Sequence, residues 1–298
     1  MIQRADLPTR RNEAWKYSDL RAAMDGVALD AKRSAATPTH GGVIGALAAQ
    51  AGNVETLVLS PGQTIVRVDR PAKTFAPRLL DTHVAAGATL VRVVVQEDSD
   101  AVSLDAAHVR VAAGGTFRQF VLAEGGKLAR VETHVSVDGE AAEIELNGAY
   151  LASTGKHADL TSVIMHNAPG AETRQLIKGV AAKGGRGVFQ GKIVVERAAQ
   201  QTDARQYHHG MLLEAGGEIF AKPELLIHAD DVQCAHGNTA GGLDEAAKFY
   251  LRSRGVPEKE ARAMLIEAFL VGAIPKGLPE AIDAELRERI GKWLEAHA

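Results

Sequence analysis

The middle of the chain is patterned as a series of short strands. Between about residues 54 and 240, apolar and polar positions alternate in short runs that glycines interrupt. One run places Val131, Thr133, Val135 and Val137 on one face and Arg130, Glu132, His134 and Ser136 on the other. A period of two is typical of a strand with two different faces. Glycines predict the turns between strands, at Gly87, Gly114–Gly115, Gly125–Gly126, Gly139, Gly184–Gly185 and Gly216–Gly217.

Both flanks of this strand domain have helical patterns. Residues 1–53 are predicted to form a helical segment, in which Asn12 caps a helix over residues 13–20 and a loop over 35–42 leads to a helix over 43–51. Residues 241–298 are predicted to form a C-terminal helical domain. Its three apolar stripes are Leu243, Ala247, Tyr250 and Leu251; Ala261, Met264, Leu265 and Ala268; and Ile282, Leu286, Ile290, Trp293 and Leu294. Gly255 is expected to end the first of these helices, and Pro257 to open the second.

Three mainly β architectures accommodate so many short strands: a sandwich, a barrel and a parallel β-helix. The sandwich is the commonest. The strand region is long for one sandwich and no convincing helix interrupts it, which favours the β-helix beyond its usual frequency. The strand spacing is irregular and lacks the hexapeptide repeat of left-handed β-helices, so periodicity alone leaves all three open.

Composition and charge restrict the function. The 298-residue chain has a formal net charge of −3 with acidic and basic residues mixed, so we expect no partnership with nucleic acid or an anionic membrane. No run of about 18 apolar residues predicts a bilayer-spanning helix. Residues 1–11 lack the apolar centre of a secretory signal, which predicts a cytoplasmic protein. Cys234 is the one cysteine in the sequence, which excludes an internal disulfide and a four-cysteine metal site.

The densest cluster of reactive side chains lies between Ala229 and Gly237. If this segment is a strand, Cys234 and His236 point to the same side and present a sulfur and a nitrogen ligand to one metal. Two ligands do not complete such a site. Spacing alone favours the alternative, in which the cysteine packs as a small apolar residue and the histidine bonds to a neighbour. Asp230 and Asp231 fit a turn at least as well as an acid/base pair.

The remaining motifs point away from catalysis. His208 and His209 are adjacent, so in a strand one faces inward, the other faces solvent, and the two do not chelate one metal. His157 and His166 have no evident partner in the sequence. The glycine-rich stretch 183–192 lacks the spacing of a phosphate-binding loop and is predicted to be a turn and a strand. Because no Gly-x-Ser-x-Gly or His-Glu-x-x-His motif occurs, a binding or scaffolding role is favoured.

Two long motifs resemble the SufB/SufD family of iron–sulfur cluster assembly proteins. The N-terminal motif reads Arg-Asn-Glu-Ala-Trp-Lys-Tyr-Ser-Asp-Leu over residues 11–20. The second motif, within residues 191–255, includes Gly-Lys-Ile-Val-Val, Ala-Gln-Gln-Thr-Asp-Ala, Gln206, Lys-Pro-Glu-Leu, Ala-Asp-Asp-Val-Gln-Cys-Ala-His-Gly and Phe-Tyr-Leu-Arg-Ser-Arg-Gly. The resemblance is dense over the last third of the chain and rests on pattern in the middle.

The resemblance implies a fold and a role. The fold is a right-handed parallel β-helix core with short N-terminal and C-terminal helical regions, which decides among the three architectures. The role is a non-enzymatic scaffold that pairs with a SufB-like subunit and docks a SufC-like ABC ATPase. Because SufB has several cysteines and this chain has one, the SufD branch of the family is favoured. The N-terminal motif begins almost at once, so functions of a longer N-terminal helical region are not carried over.

Matched residue by residue, the resemblance also implies two sites. Cys234 and His236 match a Cys-x-His segment near the junction of the two subunits, and are expected to share a nascent iron–sulfur cluster with the SufB-like partner. Asp231 is expected at the same junction. The ATPase is expected to dock through Leu243, Phe249, Tyr250, Leu251, Arg252 and Arg254. No cofactor is expected to bind stably to the chain alone, and the sequence identifies no flavin site.

Two other functions fit parts of the sequence. A β-helix lyase or hydrolase acting on carbohydrate would use Asp230 and Asp231 as acid and base. Sugar-binding grooves usually expose aromatic side chains, however, and aromatic residues make up only 4% of this chain, with both tryptophans in the helical zones. A self-associating protein would instead join its own β-helix ends, and the scaffold itself is expected to form a homodimer when isolated.

Overall fold

The structure is a computed structural model that describes residues 2–29 and 42–297. Its strands are β1 (Val54–Val58), β2 (Thr64–Asp69), β3 (Arg78–Val84), β4 (Thr89–Gln96), β5 (Val102–Val111), β6 (Thr116–Ala123), β7 (Leu128–Val137), β8 (Glu143–Ala152), β9 (His157–His166), β10 (Glu172–Ala181), β11 (Arg186–Val195), β12 (Asp203–Leu212), β13 (Glu218–Ile227) and β14 (Gln233–Gly241). The odd-numbered strands form one parallel sheet of seven strands, and the even-numbered strands form a second. The chain therefore winds from sheet to sheet as a parallel β-helix, which confirms the fold that the resemblance implied.

Coils of unequal length explain why the sequence shows no fixed repeat. Thr64 pairs with Thr89 in the second sheet, 25 residues later. Arg186 pairs with Glu218 in the first sheet, 32 residues later. Strands and turns both vary in length, while in-register pairing keeps the coils stacked. Left-handed backbone at Gly114, with φ at 59°, is one of the turn conformations that glycine adopts without strain.

Aliphatic rows fill the inside of the coils. Each strand contributes alternate residues to the interior, where they contact the corresponding residues of the coils on either side. The inward residues include Leu90, Val109, Val135, Ile144, Ile164 and Ile193, each at most 2% exposed. Full burial of one such side chain contributes about 1.5–3 kcal/mol, so these rows hold the stack together.

The N-terminal segment is less helical than its sequence predicts. In place of one helix over residues 13–20, a 3-10 turn (Glu13–Trp15) is followed by the short helix α1 (Leu20–Ala23). The predicted capping by the Asn12 side chain is wrong, because its Oδ1 accepts a hydrogen bond from the Thr9 backbone N–H at 3.0 Å. Tertiary contacts outweigh helix propensity here, since the segment lies against the outward face of the first sheet.

The second N-terminal helix is confirmed. Helix α2 (Gly42–Ala51) buries Ile44, Leu47 and Ala48 in the same cluster as the N-terminal segment. Most of the predicted loop over 35–42 lies outside the described residues. Its last residue, Gly42, begins α2.

Three C-terminal helices follow β14. They are α3 (Glu245–Ser253), α4 (Glu258–Val271) and α5 (Glu280–His297). Helices α4 and α5 pack on the outward face of the second sheet through Ile266, Leu270, Leu286, Ile290, Trp293 and Leu294. None of the helices within residues 2–29 and 42–297 is long and apolar enough to cross a bilayer.

The apolar stripes of these helices are confirmed in part. The stripe predicted for α5 is the one that packs on the sheet. The stripe predicted for α4 is partly wrong, because Met264 is 50% exposed while Ile266 and Leu270 are buried. The sheet surface, rather than the sequence stripe, selects the buried side of α4. Pro257 is the N-cap of α4, one position earlier than predicted.

Candidate functional site

The two ends of the β-helix differ in chemistry. At the first coil, the inward Arg67 pairs with Glu55 at 2.8 Å and with Asp69 at 2.6 Å. Asp69 also accepts a hydrogen bond from the buried Arg92 at 2.7 Å. The positive and negative groups at this end therefore satisfy one another. Charged pairs of this kind discourage another sheet from adding to the end.

The inward row of the last coil has no such ion pair among the described residues. Strands β13 and β14 are the outermost strands of their sheets, so each has one edge without a strand partner in the described structure. Leu226 is 44% exposed and Ile227 is 42% exposed, while Leu225 is half-buried at the end of the interior row. We call the surface formed by β13 and β14 the open end. Unpaired strand edges beside exposed apolar side chains are suited to pairing with another chain.

The predicted Cys-x-His pair lies in the inward row of the open end. Strand β14 pairs in register with β12, which places Cys234 beside Ala204 and His236 beside the buried Gln206. The two predicted residues therefore point to the same side, as their spacing indicated. Cys234 is half-buried against the core, whereas His236 is exposed and makes no hydrogen bond or ion pair with a described residue.

The electrostatic surroundings keep Cys234 protonated. Burial raises the pKa of its thiol above the ordinary value, against a smaller lowering by a hydrogen bond to the Ala204 backbone. Metal binding at this residue would therefore release a proton. Within residues 2–29 and 42–297, no group of three or more His, Cys, Asp or Glu residues is arranged to hold a metal ion. Among the described residues, the pair therefore offers at most two ligands to a metal ion.

A buried set of three hydrogen-bonded side chains, Tyr150, His208 and Asn238, reaches the inward row of the open end. His208 is fully buried, with its Nδ1 2.7 Å from Asn238 Oδ1 and its Nε2 2.9 Å from the Tyr150 hydroxyl oxygen. Asn238 lies on β14 two residues beyond His236, in the same inward row. Because the amide oxygen can only accept, His208 donates from Nδ1 and accepts the Tyr150 O–H at Nε2. The prediction that one of the two adjacent histidines faces inward is confirmed, and the inward one is His208, but its partners were not predicted.

The interior of the coils has space for the Tyr150 ring of this hydrogen-bonded set. A Cβ at Gly179 would lie 1.9 Å from Cζ of Tyr150, and one at Gly187 would lie 2.1 Å from its Cε2. The two glycines therefore leave the slot that the ring fills. Phe189 stacks on His208 with a centroid distance of 5.3 Å. The position of His208 behind the open end is thus fixed by packing as well as by hydrogen bonds.

In an acid titration, His208 is expected to stay neutral down to a lower pH than an ordinary histidine does. Burial lowers its pKa from 6.5 to about 4, although the Asn238 hydrogen bond opposes this. A lowered histidine pKa leaves stability intact above about pH 6.5 and removes it as the pH falls towards 4, with a loss on the order of 3 kcal/mol. Side-chain ¹⁵N NMR of His208 measures the midpoint, and His209→Gln is the assignment control. A midpoint above pH 6 would contradict this burial.

A second buried chain of hydrogen bonds ends directly behind His236. Gln206 donates from Nε2 to Gln175 Oε1 at 2.9 Å, and Gln175 donates from Nε2 to Ser162 Oγ at 2.8 Å. Gln206 Oε1 is buried and has no hydrogen-bond partner among the described residues. Gly191 leaves room for the Gln206 side chain, because a Cβ at position 191 would lie 2.3 Å from Gln206 Nε2.

The remaining predicted residues lie at the edge of the open end, on α3 or directly beside α3. Asp230 and Asp231 are exposed in the bend between β13 and β14, where the backbone of Asp231 bonds to Gln200 and Gln201. This gives neither carboxylate the apolar surroundings that a general acid uses. On α3, which buries none of its residues, Phe249 is 73% exposed and Tyr250 58% exposed. Leu243 and Leu251 are half-buried, and Arg252 and Arg254 are exposed.

A further polar cluster lies beneath the N-terminal segment. Buried Ser18 donates a hydrogen bond to Asp159 Oδ2, and its Oγ is 3.1 Å from His157 Nε2. Because the serine proton goes to the carboxylate rather than to the imidazole, the trio is not arranged to activate a nucleophile. The cluster fastens the segment to the sheet, and it gives His157 the partner that the sequence did not reveal.

Comparison with known proteins agrees with this architecture. A family model described as SUF system FeS cluster assembly, SufBD core domain, matches residues 51–269, which is most of the chain. Iron-sulfur cluster assembly protein SufD of Escherichia coli (strain K12) is 33% identical over 174 residues, covering 58% of this chain and 41% of that protein. The SufBD family protein slr0076 of Synechocystis sp. is 33% identical over 225 residues, covering 74% of this chain and 49% of that protein.

A plant relative extends the comparison. Protein ABCI7, chloroplastic, of Arabidopsis thaliana is 34% identical over 193 residues, covering 64% of this chain and 41% of that protein. The alignments with these three relatives cover less than half of each relative's length. The resemblance drawn from the motifs is confirmed. The chain belongs to the SufB/SufD family of iron–sulfur cluster assembly proteins of the SUF system.

Proposed function

We propose that this chain is a non-enzymatic scaffold of the SUF system that pairs with a SufB-like subunit and docks a SufC-like ATPase. The observation that carries the proposal is the open end, where Cys234 and His236 lie in the last inward row beside two unpaired strand edges. The opposite end also has unpaired strand edges and exposed valines, but its inward polar groups form ion pairs with one another. Only one end therefore combines a surface for a partner with ligands for a cargo.

Pairing at the open end would continue the β-helix. A partner strand beside β13 or β14 would satisfy the free backbone groups of that edge, as in other cases of strand addition. It would also cover Leu226 and Ile227, which stay 44% and 42% exposed in the chain alone. Capping of an exposed end is a general need of stacked-coil proteins. A second copy of this chain would meet part of that need, so we propose a homodimer in isolation that the SufB-like subunit displaces.

The nascent cluster is the cargo of this junction rather than a resident cofactor. Thiolate and imidazole are both ligands that iron accepts. Cys234 and His236 supply one of each, and the partner would supply the rest. Asp231 lies in the bend that leads into β14, so it would border the same junction. The neutral thiol of Cys234 would lose its proton only when iron arrives.

Helix α3 is the proposed docking surface for the ATPase. Phe249 and Tyr250 are large apolar side chains that remain mostly exposed, although α3 begins directly after β14. Arg254 lies over the Tyr250 ring, with 5.3 Å from its Cζ to the ring centroid. Exposed aromatic side chains beside arginines are typical of residues at the centre of protein interfaces.

Two sets of surface variants are expected to separate the two docking surfaces. Leu226→Asp with Ile227→Asp places charges on the open end and should abolish complex formation with the SufB-like subunit. The same protein should still bind the ATPase. Phe249→Asp with Tyr250→Asp should give the reverse result. Size-exclusion chromatography of purified mixtures measures both outcomes.

Each set serves as the control for the other. Loss of both partners in either set would indicate misfolding, which circular dichroism would detect. Binding of the SufB-like subunit that survives the open-end variants would contradict the proposed pairing. No observed arrangement favours the carbohydrate-active enzyme, since Asp230 and Asp231 are both exposed in a bend.

A further inference from the structure

We infer that Gln206 is a positioning residue for His236: when one ring nitrogen of His236 binds iron, the other donates its N–H to Gln206 Oε1. The inference rests on the proposed role of His236 as a cluster ligand. Gln206 does not touch the cargo in this arrangement. It acts by holding the ring from inside the β-helix.

Strand register places the two side chains together. Gln206 on β12 pairs directly with His236 on β14, and both lie in the inward row. Residues paired in register on neighbouring parallel strands lie about 4.8 Å apart, with their side chains stacked on the same face. Gln206 is fully buried, whereas His236 is exposed at the open end. The glutamine is therefore the first interior side chain behind the histidine.

The hydrogen bonds of Gln206 leave one atom available. Its amide nitrogen is committed to Gln175 Oε1 at 2.9 Å, and Gln175 is in turn committed to Ser162. In the structure, the amide nitrogen of Gln206 is therefore the end that faces Gln175. Gln206 Oε1 is left buried without a partner among the described residues. Buried acceptors are almost always satisfied, so this oxygen is suited to a donor that arrives at the open end.

The ring of His236 is such a donor. It makes no hydrogen bond or ion pair with a described residue, so both ring nitrogens are free to engage. Histidines that bind metals usually donate their second ring N–H to a carbonyl or carboxylate, which fixes both tautomer and ring orientation. A carboxamide oxygen offers the same acceptor without adding a buried charge. Packing around Gly191 keeps the glutamine in place, as a Cβ there would lie 2.3 Å from Gln206 Nε2.

Ferrous iron binding to the assembled complex tests this arrangement. Complexes with the SufB-like and SufC-like subunits are purified anaerobically and titrated with Fe²⁺. Gln206→Met removes the acceptor at similar side-chain length and is expected to weaken iron binding about 10- to 100-fold. Gln206→Glu keeps an acceptor and is expected to retain most of the binding. Gln190→Met is the matched control, because Gln190 is another buried glutamine and its amide bonds to Thr161 rather than to Gln206.

The double variant Gln206→Met with His236→Ala distinguishes positioning from general damage. If Gln206 acts through His236, the double variant binds iron no more weakly than His236→Ala alone. Additive losses, equal losses in Gln190→Met, or a loss in Gln206→Glu as large as in Gln206→Met would overturn the inference. A loss in His236→Ala without any loss in Gln206→Met would overturn it while leaving the proposed function intact. Unchanged binding in His236→Ala would refute the role of His236 as a ligand, and the inference with it.

Discussion

Arg130→Met is expected to lower the free energy of unfolding by about 3–5 kcal/mol, because it leaves buried carboxylates unpaired. Arg130 is 1% exposed and donates to Asp159 Oδ2 at 3.0 Å and to Glu132 Oε2 at 2.8 Å. Burial opposes ionisation of Glu132, but the charge of Arg130 and the hydrogen bond with His134 hold its pKa at about 2. Without the arginine, those carboxylates must stay charged without its compensating charge or take up protons.

Urea denaturation followed by circular dichroism measures this loss. The matched control is Arg287→Met, which breaks a half-exposed ion pair with Asp283 on α5 and is expected to cost only about 0.3–0.5 kcal/mol. Because the pKa of Glu132 is lowered in the folded protein, its contribution is present above about pH 4.5 and is lost as the pH falls towards 2. Equal costs for the two methionine variants would refute the buried pairing.

Trp15→Ala is expected to cost about 3–5 kcal/mol as well, and to release the N-terminal segment from the sheet. The Trp15 ring is 5% exposed and lies over Arg130, with 4.0 Å from its centroid to the guanidinium carbon. The same segment stacks Tyr17 on Phe220 of β13 at 5.1 Å and pairs Glu13 with Lys222. The N-terminal motif therefore fastens the last coil, and its loss should loosen the open end.

Limited proteolysis measures the release of the N-terminal segment, and urea denaturation measures the loss of stability. Cleavage should appear first within residues 2–23 of the variant, while the strand core stays resistant. Phe249→Ala is the control, since that side chain is 73% exposed and its truncation should change stability by no more than about 0.5 kcal/mol. A variant that unfolds like the wild type and resists cleavage would show that the segment contributes no stability.

The strand pattern predicted which residues share a face, but it did not predict what covers each face. Alternation separated Arg130 and Glu132 from Val131 and Val135, as the structure confirms. It gave no sign that Arg130 is buried, because the covering Trp15 lies more than a hundred residues away in the sequence. The same limit applies to α4, where the surface of the second sheet decides that Ile266 rather than Met264 is buried.

The candidate site was predictable where it depends on one strand. The common side of Cys234 and His236 follows from the period of two. The buried hydrogen bonds behind this pair join distant positions, such as Tyr150 and His208, which are 58 residues apart. Their register depends on coils of unequal length, which periodicity does not determine. A glycine within a strand, as at Gly179, is the one local sign that a bulky neighbour needs space.

The most direct test of the scaffold is the iron and sulfide content of the assembled complex. The chain is co-purified anaerobically with the SufB-like and SufC-like subunits as wild type, as His236→Ala and as the control His209→Ala, whose ring bonds outside the inward row to Thr239. We expect that all three complexes form and that only His236→Ala loses iron and sulfide. An intact complex of His236→Ala that loads as fully as the wild type would contradict a cluster site on this chain.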